Sequence, residues 1–296
     1  MKKLLCIVLA VLCCTALLAG CGAKSKVTIG SKLYTENILL SEMVAQLIEA
    51  KTDIQVERKQ ALGGTSVCFP ALEKGEIDIY VEYSGTMYNE ILKIEFSPDM
   101  TADMIYAKVK QGLYDVHNVT IYQPIGLNNT YALGILEEKA AALNVKSMSD
   151  LAAYAPELIF GANHLFYTRL TDGYDGMVSR YDLHFKDALK MDSSLLYDAT
   201  AQGQVDVMVI YSTDALLKKY SMVVLEDDKQ LFPPYHGTPI IKNETLKKYP
   251  ELNGVLDLLA GRINDARMQE LNYQVDVEKR PVDEVAKEFL TAEGLL

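Results

Sequence analysis

The chain has 296 residues with 29 Lys and Arg against 40 Asp and Glu, a formal charge of −11 and a pI near 4.9. That balance excludes nucleic acid as a partner, because affinity there comes from basic side chains neutralising phosphates. At 49% hydrophobic and 23% charged the composition is globular, neither disordered nor fibrous, and the length allows two core-forming lobes.

Residues 1–20 read as an export signal: Lys2 and Lys3, an apolar run from Leu4 to Leu18, and the exit Leu18-Ala19-Gly20 ahead of Cys21. The run is too short and wrongly flanked for a spanning helix, and no later apolar run approaches the roughly 18 residues one needs. Leu-Ala-Gly-Cys resembles the bacterial lipobox, whose cysteine becomes the lipidated first residue of the mature chain. The alternative is an ordinary cleaved signal with a chance cysteine. The Gly- and Lys-containing run 21–26 reads as a flexible tether, which favours lipidation. Removal of 1–20 takes away two lysines and no acid, moving the charge from −11 to −13. Cys6, Cys13 and Cys14 leave with it, so Cys68 is the free thiol expected and an intramolecular disulfide is not.

Val27 to Ile29 then reads as a strand running into a loop, Gly30-Ser31-Lys32, followed by a helix with apolar residues at helical spacing from Ile38 to Ile48 and Thr35 as its N-cap. Gly63-Gly64-Thr65 reads as a tight strand-to-helix turn in a segment that Gly75 closes, and Ile77 to Val81 as the next strand. Further strand-like runs are Tyr131–Ile135, Leu158–Phe160, Val205–Tyr211 and Met222–Leu225. Helical patterns lie between them at Asp103–Leu113, Asp150–Tyr154 and around Ala199. From Leu246 the pattern is helical, with breaks at Pro250, Gly261 and Pro281. The alternation predicts an α/β architecture with largely parallel sheets.

An enzyme needs a nucleophile with its base, a metal cluster or a phosphate cradle. His117, His164, His184 and His236 form no i,i+4 pair, which argues against zinc. Cys68 reads as a small buried hydrophobe, and Gly63-Gly64-Thr65 lacks the residues of a phosphate or dinucleotide loop. No catalytic residue, metal or cofactor is therefore expected. The tyrosines are more informative, at 18 against 7 Phe and no Trp. Tyr83, Tyr131, Tyr211 and Tyr235 all fall at or just beyond a strand, where open α/β sheets meet their ligands. Four ring faces there suit a cation without hydrogens to donate, such as a quaternary ammonium group; the alternative is half-buried strand tyrosines with solvated hydroxyls. Lys32 and Arg169 lie near the same loops and would give charge-assisted bonds to a carboxylate, unless they are solvated surface charges.

Gly30-Ser31-Lys32 with Thr35-Glu36, Leu62-Gly63-Gly64-Thr65, Tyr83-Ser84-Gly85-Thr86, Asn128 to Leu133, Tyr211-Ser212-Thr213-Asp214, Phe232-Pro233-Pro234-Tyr235 and Leu271 to Val275 stand in an order that resembles one family. It is that of the substrate-binding proteins of glycine betaine/carnitine/choline ABC transporters of the osmoprotectant type, and the resemblance covers Val27 to Leu296. It implies a two-lobed periplasmic-binding-protein-like fold (type II) with ligand in the inter-lobe cleft. Tyr83, Tyr131, Tyr211 and Tyr235 match the family's aromatic cage, and Lys32, Thr86 and Arg169 match the residues that hold the ligand carboxylate. Two departures stand out: Leu170 and Thr171 separate Arg169 from Asp172-Gly173 where one residue is usual, and His236-Gly237-Thr238 replaces a small or glutamine-containing run.

The resemblance further implies a monomeric receptor, lipid-anchored through Cys21 on the outer face of a bacterial cell membrane, that hands a quaternary ammonium compound to an ABC permease and its ATPase. Lobe I is expected to combine 27–128 with 236–296, and lobe II to be 129–235. Lys32 and Arg169 as bare cations speak against choline, which has no carboxylate. A choline-preferring receptor is nonetheless the main alternative within the class, ergothioneine or another larger betaine a further one, and an extracellular hydrolase the alternative outside it.

Overall fold

The computed structural model of the protein describes residues 25–97, 99–169 and 172–296, with Ser193 and Ser194 described by backbone alone. The expectations for the signal 1–20, for Cys21 and for the Leu170-Thr171 spacer fall outside the described residues. Two five-stranded sheets organise the molecule. The first has the order β2-β1-β3-β10-β4 and is built from β1 (Lys26–Lys32), β2 (Gln55–Gly63), β3 (Ile79–Tyr83), β4 (Val119–Ile121) and β10 (Gly237–Lys242). The second has the order β7-β6-β8-β5-β9 and is built from β5 (Tyr131–Leu136), β6 (Ile159–Ala162), β7 (Asp187–Lys190), β8 (Val207–Tyr211) and β9 (Met222–Leu225). Lys26, expected in the tether, is already paired with Gln55 as the first residue of β1.

The sheets are mixed rather than largely parallel. β1 runs parallel to β2 and β3, and β6 parallel to β7 and β8; β10 is antiparallel to β3 and β4, and β5 antiparallel to β8 and β9. The exceptions have one cause. β5 and β10 are the first strands after the chain crosses from one sheet to the other, so each enters its new sheet at the end where the parallel strands finish.

Each sheet is covered on both faces, and strand alternation assigns the side chains. In β3, Ile79, Val81 and Tyr83 join one core with Leu39, Leu40, Met43 and Leu47 of α1 (Thr35–Lys51). Tyr80 points the other way, toward Cys68 and Leu72 of α2 (Thr65–Lys74) and Ile105, Val109 and Leu113 of α3 (Ala102–His117). In the second sheet Leu133, Ile135, Val207 and Val209 face one core while Ala132, Met208 and Ile210 face the other. Burying one such large side chain contributes roughly 1.5–3 kcal/mol, so these two-sided strands anchor the fold.

Local chemistry explains the turns. Gly63 (φ +151°) ends β2 and Gly64 caps α2, while Gly75 ends α2 in the left-handed conformation at φ +73°. α1 departs from expectation at its start. Tyr34, not Thr35, is the N-cap, and the Thr35 hydroxyl bonds Asp276 instead. Pro239 sits inside β10 without breaking the sheet: its carbonyl accepts from Tyr122 N at 3.0 Å, but it has no N–H to return. The Tyr122 carbonyl is served by the Thr238 hydroxyl at 2.6 Å and the Tyr106 hydroxyl at 3.1 Å.

The two segments between the sheets lie side by side. Asn128 and His236 form an antiparallel bridge, Asn129 N donates to Tyr235 O at 3.1 Å, and Tyr235 N donates to Asn128 Oδ1 at 2.6 Å. The Thr130 hydroxyl donates to Pro233 O at 2.8 Å. Each crossing thus satisfies polar backbone groups of the other.

Candidate functional site

The sheet topology explains why distant tyrosines meet. Tyr83 ends β3 and pairs with Gly237, so Tyr235 lies at the same end of the first sheet. Tyr131 opens β5 and is paired directly with Tyr211, the last residue of the antiparallel β8. Tyr83, Tyr131, Tyr211 and Tyr235 all line one cavity of about 480 Å³ at these strand ends, within the range of small-molecule sites. Gly85 makes room: a Cβ there would lie 2.8 Å from Pro234 O and 2.8 Å from the Tyr235 ring. The Tyr131 and Tyr211 rings stack at 5.0 Å with 30° between planes, and Tyr211 is 43% exposed.

Thr86 and Arg169 line the same cavity. Arg169 follows a short helix, His164–Thr168, and its guanidinium lies 4.9 Å from the Tyr131 ring centroid. Nε donates to Asp172 Oδ1 at 2.8 Å and Nη2 to Asp172 Oδ2, a two-pronged pair with a carboxylate that is 6% exposed. Gly173 leaves room beside this pair, since a Cβ there would lie 2.5 Å from Arg169 O. Burial opposes the Arg169 charge and Asp172 more than offsets it, holding the guanidinium above its ordinary range.

Lys32 departs from its expected place. It is the last residue of β1 rather than part of a loop, is 4% exposed, and does not belong to the cavity wall. Its ammonium pairs with Glu82, which is fully buried and also accepts from the Thr65 hydroxyl at 3.0 Å and the Tyr80 hydroxyl at 3.1 Å. Lys32 therefore has its partner inside the protein, and its Nζ lies 5.0 Å from the centroid of the Tyr83 ring. With Arg169 paired to Asp172 as well, neither cation is bare, and the repulsion expected against choline is weaker than the sequence implies.

Sequence reasoning missed the acidic and amide part of the wall: Glu36, Asn129, Asp214, Asn272 and Asp276. Glu36 is 4% exposed; burial pushes its carboxyl above the usual range, against the pull of hydrogen bonds from Thr213, Tyr83, Asn129 and Asn272. Burial also raises Asp214. The available signal was adjacency, since each stands within or close to a motif that carries a tyrosine or caps a helix. Cys68 is buried, with burial pushing its thiol up to about 11, and so lacks the thiolate a nucleophile needs.

Residues 25–292 match the family model for the substrate-binding domain of ABC-type glycine betaine transport systems. The chain belongs to this family. A carnitine transport binding protein of Listeria monocytogenes is 35% identical over 92% of this chain and 89% of its own length. An ergothioneine transport permease/ergothioneine binding protein of Helicobacter pylori is also 35% identical, over 90% of this chain; the chain spans 47% of that relative's length. A crystal structure described as a glycine betaine/carnitine/choline ABC transporter superposes with a TM-score of 0.87 at 31% identity, covering 92% of this chain and 99% of that one. These substrate-binding proteins are not enzymes. The two-lobed periplasmic-binding-protein-like fold is thus common to this substrate-binding domain and its relatives, and it works outside the cytoplasm. Among the described residues no helix is long and apolar enough to cross a membrane.

Proposed function

We propose that this substrate-binding protein captures a carboxylate-bearing quaternary ammonium compound, a betaine in the broad sense, for an ABC permease driven by its ATPase, and does so as a monomer anchored through lipid on Cys21. The observation that carries the reading is the single cavity in which ring faces from both sheets meet Thr86 and Arg169. Tyr83, Tyr131, Tyr211 and Tyr235 form the cation cage, and Arg169 and Thr86 receive the carboxylate. Lys32 acts behind the Tyr83 ring rather than on the ligand. Four cation–π contacts at roughly 0.5–2 kcal/mol each and a carboxylate anchor at about 1.5–3 give about 3.5–11 kcal/mol before ordering costs, so the −8 kcal/mol of a micromolar binder also needs burial of the ligand's apolar surface in the closed cleft.

The lobes in this reading are 27–128 with 236–296, and 129–235, a division supported by the strand membership of the two sheets. Closure of the lobes about the paired crossings would complete the cage. Within the class, the acceptors Asp214 and Asp276 on the wall favour a betaine with a hydrogen-bond donor, such as carnitine with its hydroxyl or ergothioneine with its ring N–H, over glycine betaine, which has none.

Calorimetry of the soluble form beginning after Cys21 tests this with glycine betaine, carnitine, proline betaine, choline and ergothioneine. Micromolar binding of the carboxylate-bearing compounds, with those carrying a donor tightest, is the expected result. No heat from any of the five would end the reading.

A further inference from the structure

Glu36 is a buried carboxylate that neither the cage nor the carboxylate anchor uses. It lies in the first turn of α1, and its two oxygens gather donors from four separate segments. Oε1 accepts from the Tyr83 hydroxyl at 2.6 Å and from Asn129 Nδ2 at 2.9 Å. Oε2 accepts from Asn272 Nδ2 at 3.4 Å, and the Thr213 hydroxyl bonds the same carboxylate. Tyr83 belongs to the first sheet, Asn129 to the first crossing, Thr213 to the segment after β8 of the second sheet, and Asn272 to the helix α4 (Asp265–Asp276). Asn272 is itself fixed, because Nδ2 also donates to Thr213 O at 2.9 Å.

The consequence for Tyr83 is specific. A phenol donating to a buried carboxylate makes a charge-assisted bond, about twice as strong as a neutral one. That bond fixes the tip of the side chain, and with it the position of a ring that lines the cavity. Tyr211 is held differently, since its hydroxyl donates to a neutral partner, the Tyr131 hydroxyl, at 3.3 Å, and it is 43% exposed.

We infer that Glu36 is a positioning residue of the binding site: through the Tyr83 hydroxyl it sets where this ring stands against the ligand's cation, and it ties that ring to the segment arriving from the second sheet. The inference rests on the proposed role of Tyr83 in the cage.

The test is a double-mutant cycle read by calorimetry with glycine betaine and choline on the soluble chain, with thermal midpoints recorded beside it. Tyr83→Phe, which removes the hydroxyl, should weaken both ligands on the order of tenfold, and Glu36→Gln, which leaves the acceptor but not its charge, should weaken both by less. Because Tyr83→Phe leaves residue 36 no hydroxyl to hold, the double variant should bind within about twofold of the weaker single one. Tyr211→Phe should cost less than Tyr83→Phe, since both keep the ring. Losses that multiply in the double variant would show that the two residues act separately, and would overturn the inference. So would a Glu36→Gln protein whose midpoint falls while its affinity stays. If Glu36→Gln does not fold, the comparison of Tyr83→Phe with Tyr211→Phe decides, and equal losses overturn the inference. A wild type that binds neither ligand overturns the cage reading and this inference with it, whereas a wild type that binds beside an unaffected Glu36→Gln overturns this inference alone.

Discussion

At the scale of single residues, Tyr131 is the crowded member of the proposed cage. One side of its ring meets Tyr211 and the Arg169 guanidinium lies 4.9 Å from its centroid, so a protein cation already uses part of its electron density. Replacing Tyr131 or Tyr211 by Leu keeps apolar volume but removes the ring quadrupole. Titration should show betaine and choline both weakened, by about 0.5–2 kcal/mol for each ring face removed. Arg169 pairs with Asp172 and is proposed to hold the ligand carboxylate, and the two roles can be separated. Arg169→Ala removes the carboxylate's partner and also strands Asp172, a buried anion, so both betaine affinity and the thermal midpoint should fall. Adding Asp172→Asn should restore the midpoint and leave betaine about 1.5–3 kcal/mol weaker than wild type, with choline little changed. A double variant that recovers betaine binding would show Arg169 to be structural.

At the scale of elements, β1 carries its functional load in its interior. The Lys32–Glu82 pair lies beneath the site, and Lys32→Met should strand Glu82, costing about 3–5 kcal/mol in denaturant unfolding even though Met fills the space. Titration adds a second expectation. Burial raises Glu36, Asp214 and Asp265, so above the ordinary carboxylate range the folded protein holds protons that the unfolded chain has released. Stability from these groups is therefore lost as pH rises through their raised folded values. Glu36→Gln removes one such group, and its thermal midpoint should gain on that of wild type as pH rises from about 4.3. The elements most legible in the sequence were those buried on both faces, β3, β5 and β8, whose apolar runs need no partner to be recognised. β2 was not, because it is an edge strand, QVERKQALG, with charges on its solvent side and no clean alternation. β10 was hidden by Pro239, whose missing donor the Thr238 and Tyr106 hydroxyls replace at the Tyr122 carbonyl. The tyrosines could be read because strand ends are visible in sequence. The partners of Lys32 and Arg169 could not, since Glu82 lies in another strand and nothing in spacing alone shows that Asp172 turns back onto the guanidinium.

At the scale of the whole molecule, two halves share one chain and the site lies where they meet. The proposed lipid anchor at Cys21 precedes the residues of the cavity wall in sequence, the first of which is Tyr34, so Cys21→Ala should move the protein from the membrane to the soluble fraction after a carbonate wash with ligand affinity unchanged. A variant that stays with the membrane would remove the anchor reading. The place of β10 has a further consequence, for the order of assembly. It fills the gap between β3 and β4, so the first sheet lacks its inner strand until the second sheet has been entirely synthesised. The strands of the second sheet are contiguous in sequence, from Tyr131 to Leu225, and can pair as soon as they emerge. The molecule thus matures from the middle of its sequence outward: the half encoded first is the half finished last, and the aromatic site, which needs Tyr83 beside Tyr235, exists only once that late strand is in place.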